Sequence, residues 1–225
     1  FTNRTNKYHL EGSNYENSIG SAILDINNDN FPDIFVVNYG SEQINRLYLN
    51  DRGQRFKDVT SEYKLNKLRD FRHFAYTDFN RDGYLDFIFL EDDDLNIYFS
   101  NKKNLFAKKK TAYRFKNDFV QRINLYDINN DQELDIGCTC YYTNGRAAGA
   151  EIVLINEGKG YSFYPDSQIF HQSRGWNTGS LYTDFNRDNR KDLYITRKWL
   201  QNRLLLADRD GFYRAPSEII ERQDT

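Results

Sequence analysis

Short apolar stretches alternate with polar turns along the chain. The first are SAIL at 21–24, IFVV at 34–37 and RLYL at 46–49, and the turn sequence NDRG follows at 50–53. The stretches are too short for helices and are rich in β-branched or aromatic residues. This pattern predicts short antiparallel strands joined by hairpins.

The same set of stretches recurs three more times. The first members are HFAYT at 73–77, INLY at 123–126 and SLYT at 180–183; the second are FIFL at 87–90, IGCTCYY at 136–142 and LYIT at 193–196; the third are NIYF at 96–99, EIVLI at 151–155 and RLLL at 203–206. A fourth, weaker stretch is centred in the four sets on Phe56, Phe106, Phe163 and Phe212. The spacing predicts a repeat of roughly 50 residues that contributes four strands per copy.

An acidic segment of nine residues separates the first stretch from the second in every copy. The four segments are DINNDNFPD at 25–33 (loop 1), DFNRDGYLD at 78–86 (loop 2), DINNDQELD at 127–135 (loop 3) and DFNRDNRKD at 184–192 (loop 4). All four have Asp at positions 1, 5 and 9 and Asn at position 3. This fourfold match is the strongest signal in the sequence.

The second stretch of each copy is apolar at consecutive positions, as in IFVV at 34–37. A strand of this kind is buried on both faces and needs a sheet on either side. Radially arranged blades meet that need, so we predict an all-β protein, a β-propeller of four-stranded antiparallel blades. The predicted blades lie at about 18–65, 71–115, 120–166 and 177–216 within a single, partial propeller domain over 1–225.

The first ten residues resemble the end of the first repeat. FTNRTNKYHL at 1–10 aligns with FKDVTSEYKL at 56–65. This predicts that 1–10 forms the outer strand and exit turn of a preceding blade. The four complete blades then belong to a larger ring, or they close alone with this strand added to the last blade. The absence of Met adds the expectation of a mature product or a piece of a longer chain.

The acidic loops offer hard oxygen ligands close together, which is the donor set that Ca²⁺ prefers. A helix–loop–helix calcium site is excluded, since it needs Glu at position 12, where the apolar second strand lies here. The predicted side-chain ligands are Asp25, Asn27, Asp29 and Asp33; Asp78, Asn80, Asp82 and Asp86; Asp127, Asn129, Asp131 and Asp135; and Asp184, Asn186, Asp188 and Asp192. The predicted backbone carbonyl ligands are Phe31, Tyr84, Glu133 and Arg190. In the alternative interpretation the Asp and Asn side chains only cap turns.

Composition narrows the choice of partners. Aromatic residues make up 16% of the chain, which argues against disorder. The formal net charge is −2, so there is no general attraction to nucleic acid or to a membrane surface. No apolar run is long enough for a transmembrane helix, and we expect no membrane insertion of this segment.

Other candidate chemistry is sparse. The three His residues form no spaced pair, and no nucleophile or phosphate-loop motif is present, so we expect no catalytic residues and no enzyme activity. Cys138 and Cys140 are expected to be small buried side chains on one strand face. Trp176 and Trp199 are expected to pack in the core, with a surface groove alongside Arg174 and Tyr182 as the alternative.

Two charged clusters are expected to lie at the surface. The basic cluster comprises Lys102, Lys103, Lys108, Lys109, Lys110, Arg114 and Lys116. It is expected to be a solvated hairpin face, with an anionic partner such as a sulfated glycan as the alternative. The acidic run EDDD at 91–94 is expected to form the turn between the second and third strands of its blade.

The loops with their flanks resemble FG-GAP or VCBS repeats, which also form the blades of the integrin alpha head. The longer frame is similar to the cartilage acidic protein and ASPIC/UnbV-associated group: DINNDNFPDIFVVN at 25–38, then NRLYLN at 45–50 and FKDVT at 56–60. The Gly usual at loop position 6 is replaced by Asn30, Gln132 and Asn189, and Gln132 departs most. The resemblance implies a propeller, usually seven-bladed, with calcium in the blade hairpins. It also implies extracellular or lumenal exposure and a binding or cell-adhesion role.

Three functions stay open on this basis. The first is a calcium-stabilised recognition or adhesion module that binds a protein or glycan partner. The second is a scaffold piece of a larger chain or complex. The third is an enzyme similar to polysaccharide lyases, which would require His73, His171 and Arg174 to meet in one deep pocket.

Overall fold

The computed structural model describes residues 2–12, 15–40, 42–65, 71–91, 94–101, 107–115, 119–142, 148–158, 161–163, 173–174, 176–208 and 211–214. The chain divides into two compact units, Phe1–Arg114 and Phe115–Thr225. Each unit contains two of the four predicted blades.

The first unit contains one short helix and two sheets. The helix is α1 (Thr5–Tyr8). The first sheet comprises β1 (Ser18–Leu24), β2 (Asp33–Asn38), β3 (Arg46–Asp51) and β4 (Arg55–Asp58). The second comprises β5 (Phe71–Thr77), β6 (Asp86–Glu91), β7 (Asp94–Phe99) and β8 (Ala107–Arg114). Within both sheets the strands follow chain order and pair antiparallel.

The second unit repeats this arrangement. Its first sheet comprises β9 (Phe119–Tyr126), β10 (Asp135–Tyr142), β11 (Ala148–Asn156) and β12 (Tyr161–Phe163), and β13 (Ser173–Arg174) also pairs with β11. Its second sheet comprises β14 (Trp176–Thr183), β15 (Asp192–Lys198), β16 (Arg203–Asp208) and β17 (Gly211–Arg214). The strands again follow chain order and are antiparallel.

The all-β prediction and the four-stranded blades are confirmed. Every acidic loop joins the first and second strands of its sheet, as the apolar pattern predicts. None of the described sheets closes on itself. The number of blades and the closure of a ring stay predictions.

The second strand of each sheet is the most deeply buried, in agreement with its apolar sequence. In β6 the side chains of Phe87, Ile88, Phe89 and Leu90 are each at most 1% exposed. Phe35, Phe87 and Phe89 belong to a core cluster of the first unit, and Val153, Tyr182 and Leu193 belong to a core cluster of the second.

The outer strand of the second blade lies later than predicted. Phe106, its predicted centre, is outside the described residues, and β8 occupies Ala107–Arg114. This segment carries Lys108, Lys109 and Lys110, part of the predicted basic cluster. Lysines suit the free edge of a sheet because their charge discourages pairing with another strand.

The segment 1–10 differs from the predicted outer strand. Residues 2–4 have no regular structure, and α1 follows. The predicted exit turn is present: Leu10 N donates to Thr5 O at 3.2 Å, as Leu65 N donates to Thr60 O at 3.0 Å after β4. Residues 2–4 have no hydrogen-bonded ladder with a described strand, and such a ladder is what defines a strand. Across the described ranges no helix has the length and apolar character needed to cross a membrane.

Candidate metal-binding loops

The four acidic loops share one hydrogen-bonding pattern around the Asp at position 1. In loop 1, Asp25 Oδ1 accepts from Asp29 N at 3.0 Å and Asp25 Oδ2 accepts from Asn30 N at 2.8 Å. The corresponding two bonds are present at Asp78, Asp127 and Asp184, at 2.8–3.1 Å. The first carboxylate therefore pulls the backbone of positions 5 and 6 around itself and closes the loop.

Positions 3 and 5 add a second, smaller ring of contacts. Asn27 Oδ1 accepts from Asp29 N at 3.1 Å, and Asn27 Nδ2 donates to Asp29 Oδ2 at 3.0 Å. Asp29 Oδ1 accepts from Phe31 N at 2.8 Å. The same contacts recur in the other three loops. As a result, the side chains of positions 1, 3 and 5 are gathered on the same side of every loop.

This tight path requires left-handed backbone at positions 4 and 6. Position 6 has φ of 67° at Asn30, 87° at Gly83, 72° at Gln132 and 67° at Asn189. Asn tolerates this region and Gly has no side chain to oppose it, whereas Gln is rarely found there. Loop 3 therefore adopts the shared geometry at a cost in backbone strain of about 1–2 kcal/mol.

The Asp at position 9 has a different role from the others. Asp33 is fully buried; its Oδ2 accepts from Ile26 N at 3.0 Å and its Oδ1 accepts from Asn50 N at 2.8 Å. Asp86, Asp135 and Asp192 make the equivalent two bonds, one to position 2 of their own loop and one to the third strand or, for Asp86, to Ser100 directly after it. This carboxylate thus ties each loop to the sheet behind it.

The two kinds of carboxylate differ in electrostatics. Burial raises the pKa of Asp86 and of Asp135 to about 6, although the two backbone N–H groups that donate to each carboxylate act to lower it. At Asp184, loss of hydration is the largest single effect and raises the pKa, but the N–H groups of positions 4, 5 and 6 and the charge of Lys191 together outweigh it and lower the pKa. Asp184 is therefore held as a carboxylate at neutral pH, and its oxygens keep further lone pairs for a cation.

The donor set of each loop is made of oxygen alone. Across the described ranges no group of three or more His, Cys, Asp or Glu side chains is gathered closely enough to hold a metal ion. The position 9 Asp differs from the other predicted donors in its complete burial against the sheet. The other predicted donors are the carboxylates of positions 1 and 5, the Asn oxygen of position 3 and the carbonyl of position 7. These hard oxygens fit Ca²⁺ better than Zn²⁺, which prefers nitrogen or sulfur ligands.

Neighbouring loops are joined within each unit. Asn28 Nδ2 in loop 1 donates to the carbonyl of Gly83 in loop 2 at 2.7 Å. Asn130 Nδ2 in loop 3 donates to the carbonyl of Asn189 in loop 4, also at 2.7 Å. The donor is at position 4 and the acceptor at position 6 in both pairs. The sequence already carries this alternation, since position 4 is Asn in loops 1 and 3 and Arg in loops 2 and 4.

A buried polar cluster in the second unit was not predicted. Glu151 is fully buried, and its Oε1 accepts from Ser180 Oγ at 2.7 Å and from Tyr182 OH at 2.9 Å. Its Oε2 has no hydrogen-bond partner among the described atoms. Burial raises the pKa of Glu151 to about 7, against the hydroxyl groups that favour the carboxylate. The sequence signal was a single Glu in the apolar stretch EIVLI.

The other candidate residues are dispersed or only partly described. Cys138 and Cys140 are buried, as predicted. His171 lies outside the described residues, as does the side chain of Arg174, so the lyase-like pocket is not tested. Tyr182 is buried against Glu151 and does not line a groove.

The core position expected for Trp199 is wrong. Trp199 is 72% exposed, in the turn after β15. Its ring contacts that of Trp176, with centroids 4.2 Å apart. β15 ends at Lys198, and Trp199 is the first residue of the turn that follows. Its side chain therefore lies outside the sheet.

The chain was compared with known proteins. The model of the FG-GAP-like repeat matches residues 25–89 and 78–138, which together span just over half of the chain. No curated protein sequence matches. One solved structure that matches is an Agrocybe aegerita lectin described as specifically recognising non-reducing terminal N-acetylglucosamine. It is 15% identical, with 93% of this chain and 67% of the lectin chain covered and a TM-score of 0.43.

The two family matches include loops 1, 2 and 3 and the strands on either side of them. They coincide with the elements on which the repeat was first recognised. The narrower resemblance to the cartilage acidic protein group stays a prediction. The chain belongs to the FG-GAP-like repeat family.

Proposed function

We propose that this protein is a calcium-stabilised recognition module that binds a protein or glycan partner in an extracellular or lumenal setting. The observation that carries the proposal is the fourfold recurrence of one loop, in which the oxygens of positions 1, 3 and 5 are gathered by the same hydrogen bonds. Turn formation alone does not require two nearby carboxylates in every copy. The proposal assigns no catalytic step.

Calcium acts in this proposal as a structural ion. Positions 1 and 5 hold two negative charges beside each other on a short loop, and a cation between them removes their repulsion. The oxygens of positions 1, 3, 5 and 7 would hold the ion, and the position 9 Asp connects the loop to the end of the third strand. Because the loops of each unit are hydrogen-bonded in pairs, fixing one loop also restrains its neighbour.

Calorimetry tests the calcium sites. Calcium titrated into chelator-stripped protein is expected to bind with Kd values of about 10⁻⁴–10⁻³ M, the range of extracellular modules. At a free concentration of about 100 times Kd, one site adds about 2.7 kcal/mol to the free energy of unfolding. Equal melting temperatures with and without calcium, in folded protein verified to be metal-free, would show that the loops are turns only.

Variants locate the effect in the loops. Asp78→Ala and Asp184→Ala are expected to lower the melting temperature in calcium and to reduce the further drop caused by chelator, since each has lost one site. Asp51→Ala is the matched control, because Asp51 is an exposed acid outside the loops, paired with Arg55. A chelator effect of unchanged size in both loop variants would contradict the proposal.

A further inference from the structure

The turn after β15 displays Trp199 at the surface, beside the half-buried ring of Trp176 at the start of β14 and at the end of the sheet opposite loop 4. Trp199 is 72% exposed, and its ring lies 4.2 Å from that of Trp176, centroid to centroid, at an interplanar angle of 44°. Leu200, the next residue, is 43% exposed. We call Trp176, Lys198 and Trp199 the aromatic platform. Contiguous apolar surface rimmed by polar residues, as here, is a mark of interaction sites.

The backbone at Trp199 is held in an unfavourable conformation. Its φ is 64°, in the left-handed region that bulky residues avoid. The equivalent position of the first blade, seven residues after the position 9 Asp, is Gly40, with φ of 126°. The turn thus has positive φ in both blades, where glycine is the unstrained choice. Strain of this kind, kept at an exposed position, points to a function for the side chain.

Polar groups fix the turn that carries the ring. Arg197 N donates to Asn202 Oδ1 at 2.9 Å, and Asn202 Nδ2 donates to Tyr194 OH at 3.0 Å. Arg197 Nη1 donates to the carbonyl of Gln201 at 3.3 Å. Gln201 and Asn202 are exposed and follow Trp199 in the same turn. Hydrogen bonds therefore fix the turn that carries Trp199, and the same turn contains the amide side chains of Gln201 and Asn202.

Charge decides which occupant fits these faces. Lys198 Nζ lies 5.3 Å from the ring centroid of Trp176 and 5.0 Å from that of Trp199. Burial of the rings in lipid or in an apolar protein surface would remove this ammonium group from water at a high cost. A sugar ring has an apolar C–H face for stacking on an aromatic ring, and its hydroxyl groups remain hydrated and accept hydrogen bonds from ammonium and amide groups.

We propose that the aromatic platform is a saccharide-binding site, on which a pyranose ring stacks against Trp199 while its hydroxyl groups contact Lys198 and the amides of Gln201 and Asn202. The inference rests on the proposed recognition function and chooses the glycan over the protein partner. It is independent of calcium binding, since loop 4 lies at the other end of the same sheet.

The test uses the intrinsic fluorescence of the 225-residue chain, which contains only two Trp residues, both in the platform. The probes are cellotetraose, mannotetraose, chitotetraose and tetragalacturonate, titrated in calcium and in chelator. At least one is expected to change the emission saturably. Vesicles of phosphatidylcholine and phosphatidylserine form a separate arm of the experiment.

Two variants make the result specific. Trp199→Gly is expected to weaken saccharide binding, measured by calorimetry, at least about tenfold, while its melting temperature stays equal or rises because the strain at φ of 64° is relieved. Phe185→Ser removes another exposed aromatic ring of the same sheet, 46% exposed within loop 4, and is expected to keep full binding.

Failure of the inference is distinct from failure of the proposed function. The inference is overturned if none of the four saccharides binds, if Trp199→Gly binds as well as the parent, or if only the vesicles change the emission. When calcium stabilises the protein and no saccharide binds, the calcium module stands and the platform does not. When a saccharide binds through Trp199 and calcium has no effect, the platform stands and the calcium sites do not.

Discussion

The two units use the same strand order but fill the space between their sheets differently. In the first unit, Phe35 of β2 packs against Phe74, Phe87 and Phe89 of the next sheet, with ring centroids 5.1–6.0 Å apart. In the second unit the position equivalent to Phe35, two residues after the position 9 Asp, is Gly137. One interface is an aromatic core, and the other contains the Glu151 cluster.

The tyrosine before the acidic loop is partly exposed in the first interface and buried in the second. Tyr76 and Tyr182 both lie two residues before their acidic loops. Tyr76 is 36% exposed and donates to the carbonyl of Ile23 at 3.2 Å, whereas Tyr182 is 3% exposed and reaches Glu151. A Cβ atom on Gly137 would lie 2.9 Å from the Tyr182 ring. The missing side chain at 137 thus makes room for Tyr182, and its hydroxyl gives the buried Glu151 a partner.

This difference teaches that the repeat specifies the sheets and the loops but leaves the filling between sheets free. In the first unit, Phe35 of the first sheet fills the space between the two sheets. In the second unit, Tyr182 of the second sheet fills it, and the residue that faces Tyr182 is Gly137. Predictions on each side of the comparison separate the two solutions.

The largest effect is expected at the aromatic interface. Phe35→Ala leaves a cavity among three rings and should lower the free energy of unfolding by about 3–5 kcal/mol. Urea denaturation measures the loss, and hydrogen exchange of β2 and β6 localises it to the first unit. Tyr15→Ala, at a side chain that is 89% exposed, is the control and should change little. A loss as small as that of the control would mean that Phe35 does not hold the two sheets together.

The second effect belongs to the polar interface and depends on pH. The folded-state pKa of Glu151 is raised from 4.5 to about 7, so folding favours the protonated form. The contribution of Glu151 to the free energy of unfolding is fully present below pH 4.5. It is lost as the pH rises to about 7, and the loss amounts to at most about 3 kcal/mol. Glu151→Gln mimics the protonated side chain and should be the more stable protein at pH 8, with little difference at pH 4.5.

Denaturation curves of the parent and of Glu151→Gln across this pH range measure the difference in their free energies of unfolding. The other titrating carboxyl groups are the same in both proteins and cancel in this difference. Glu157→Gln is the control in the same unit, since Glu157 is exposed. Parallel pH profiles for the parent and Glu151→Gln would show that Glu151 does not titrate with folding.

A single methyl group should separate the interfaces further. Gly137→Ala forces the new Cβ against the Tyr182 ring and is expected to cost about 1–3 kcal/mol in thermal or urea denaturation. Gly20→Ala in the first unit is a graded comparison, because its Cβ would lie 3.2 Å from the nearest Phe74 atom and should cost less. In a background of Tyr182→Ala the cost of Gly137→Ala should fall; an unchanged cost would mean that the ring is not what Gly137 accommodates.

The smallest effect concerns the loops of the two units. Gly83 and Gln132 have the same left-handed backbone at position 6, and nothing lies within 4 Å of a Cβ built on Gly83. Gly83→Gln should therefore destabilise by about 1 kcal/mol through backbone strain, and Gln132→Gly should stabilise by a similar or smaller amount. Under the calcium proposal, the exchange also weakens binding at loop 2 and strengthens it at loop 3. Melting curves that move in the same direction for both variants would contradict the strain argument.

The sequence determined much of the fold because the repeated loop residues and the apolar stretches beside them indicate local structure directly. The four copies of Asp, Asn, Asp and Asp fixed the repeat, and the apolar stretches on either side of each loop predicted the first three strands of every sheet. Those features depend on neighbours in the chain, where strand propensity and turn residues act directly. The fourth strands were less certain, and β8 differs from its predicted centre because edge strands carry few buried residues.

Other features were decided only by the tertiary structure. The position 9 carboxylates look like the other loop acids in sequence, yet one oxygen of each accepts from the third strand or the residue directly after it, 14–21 residues away. Gly137 and Tyr182 are 45 residues apart, and neither predicts the other, because their fit exists only when two sheets pack. Trp199 looked like a core residue, and the left-handed turn after β15 placed it outside. Local patterns specify strands and loops, whereas contacts between sheets depend on shapes that residues acquire only after folding.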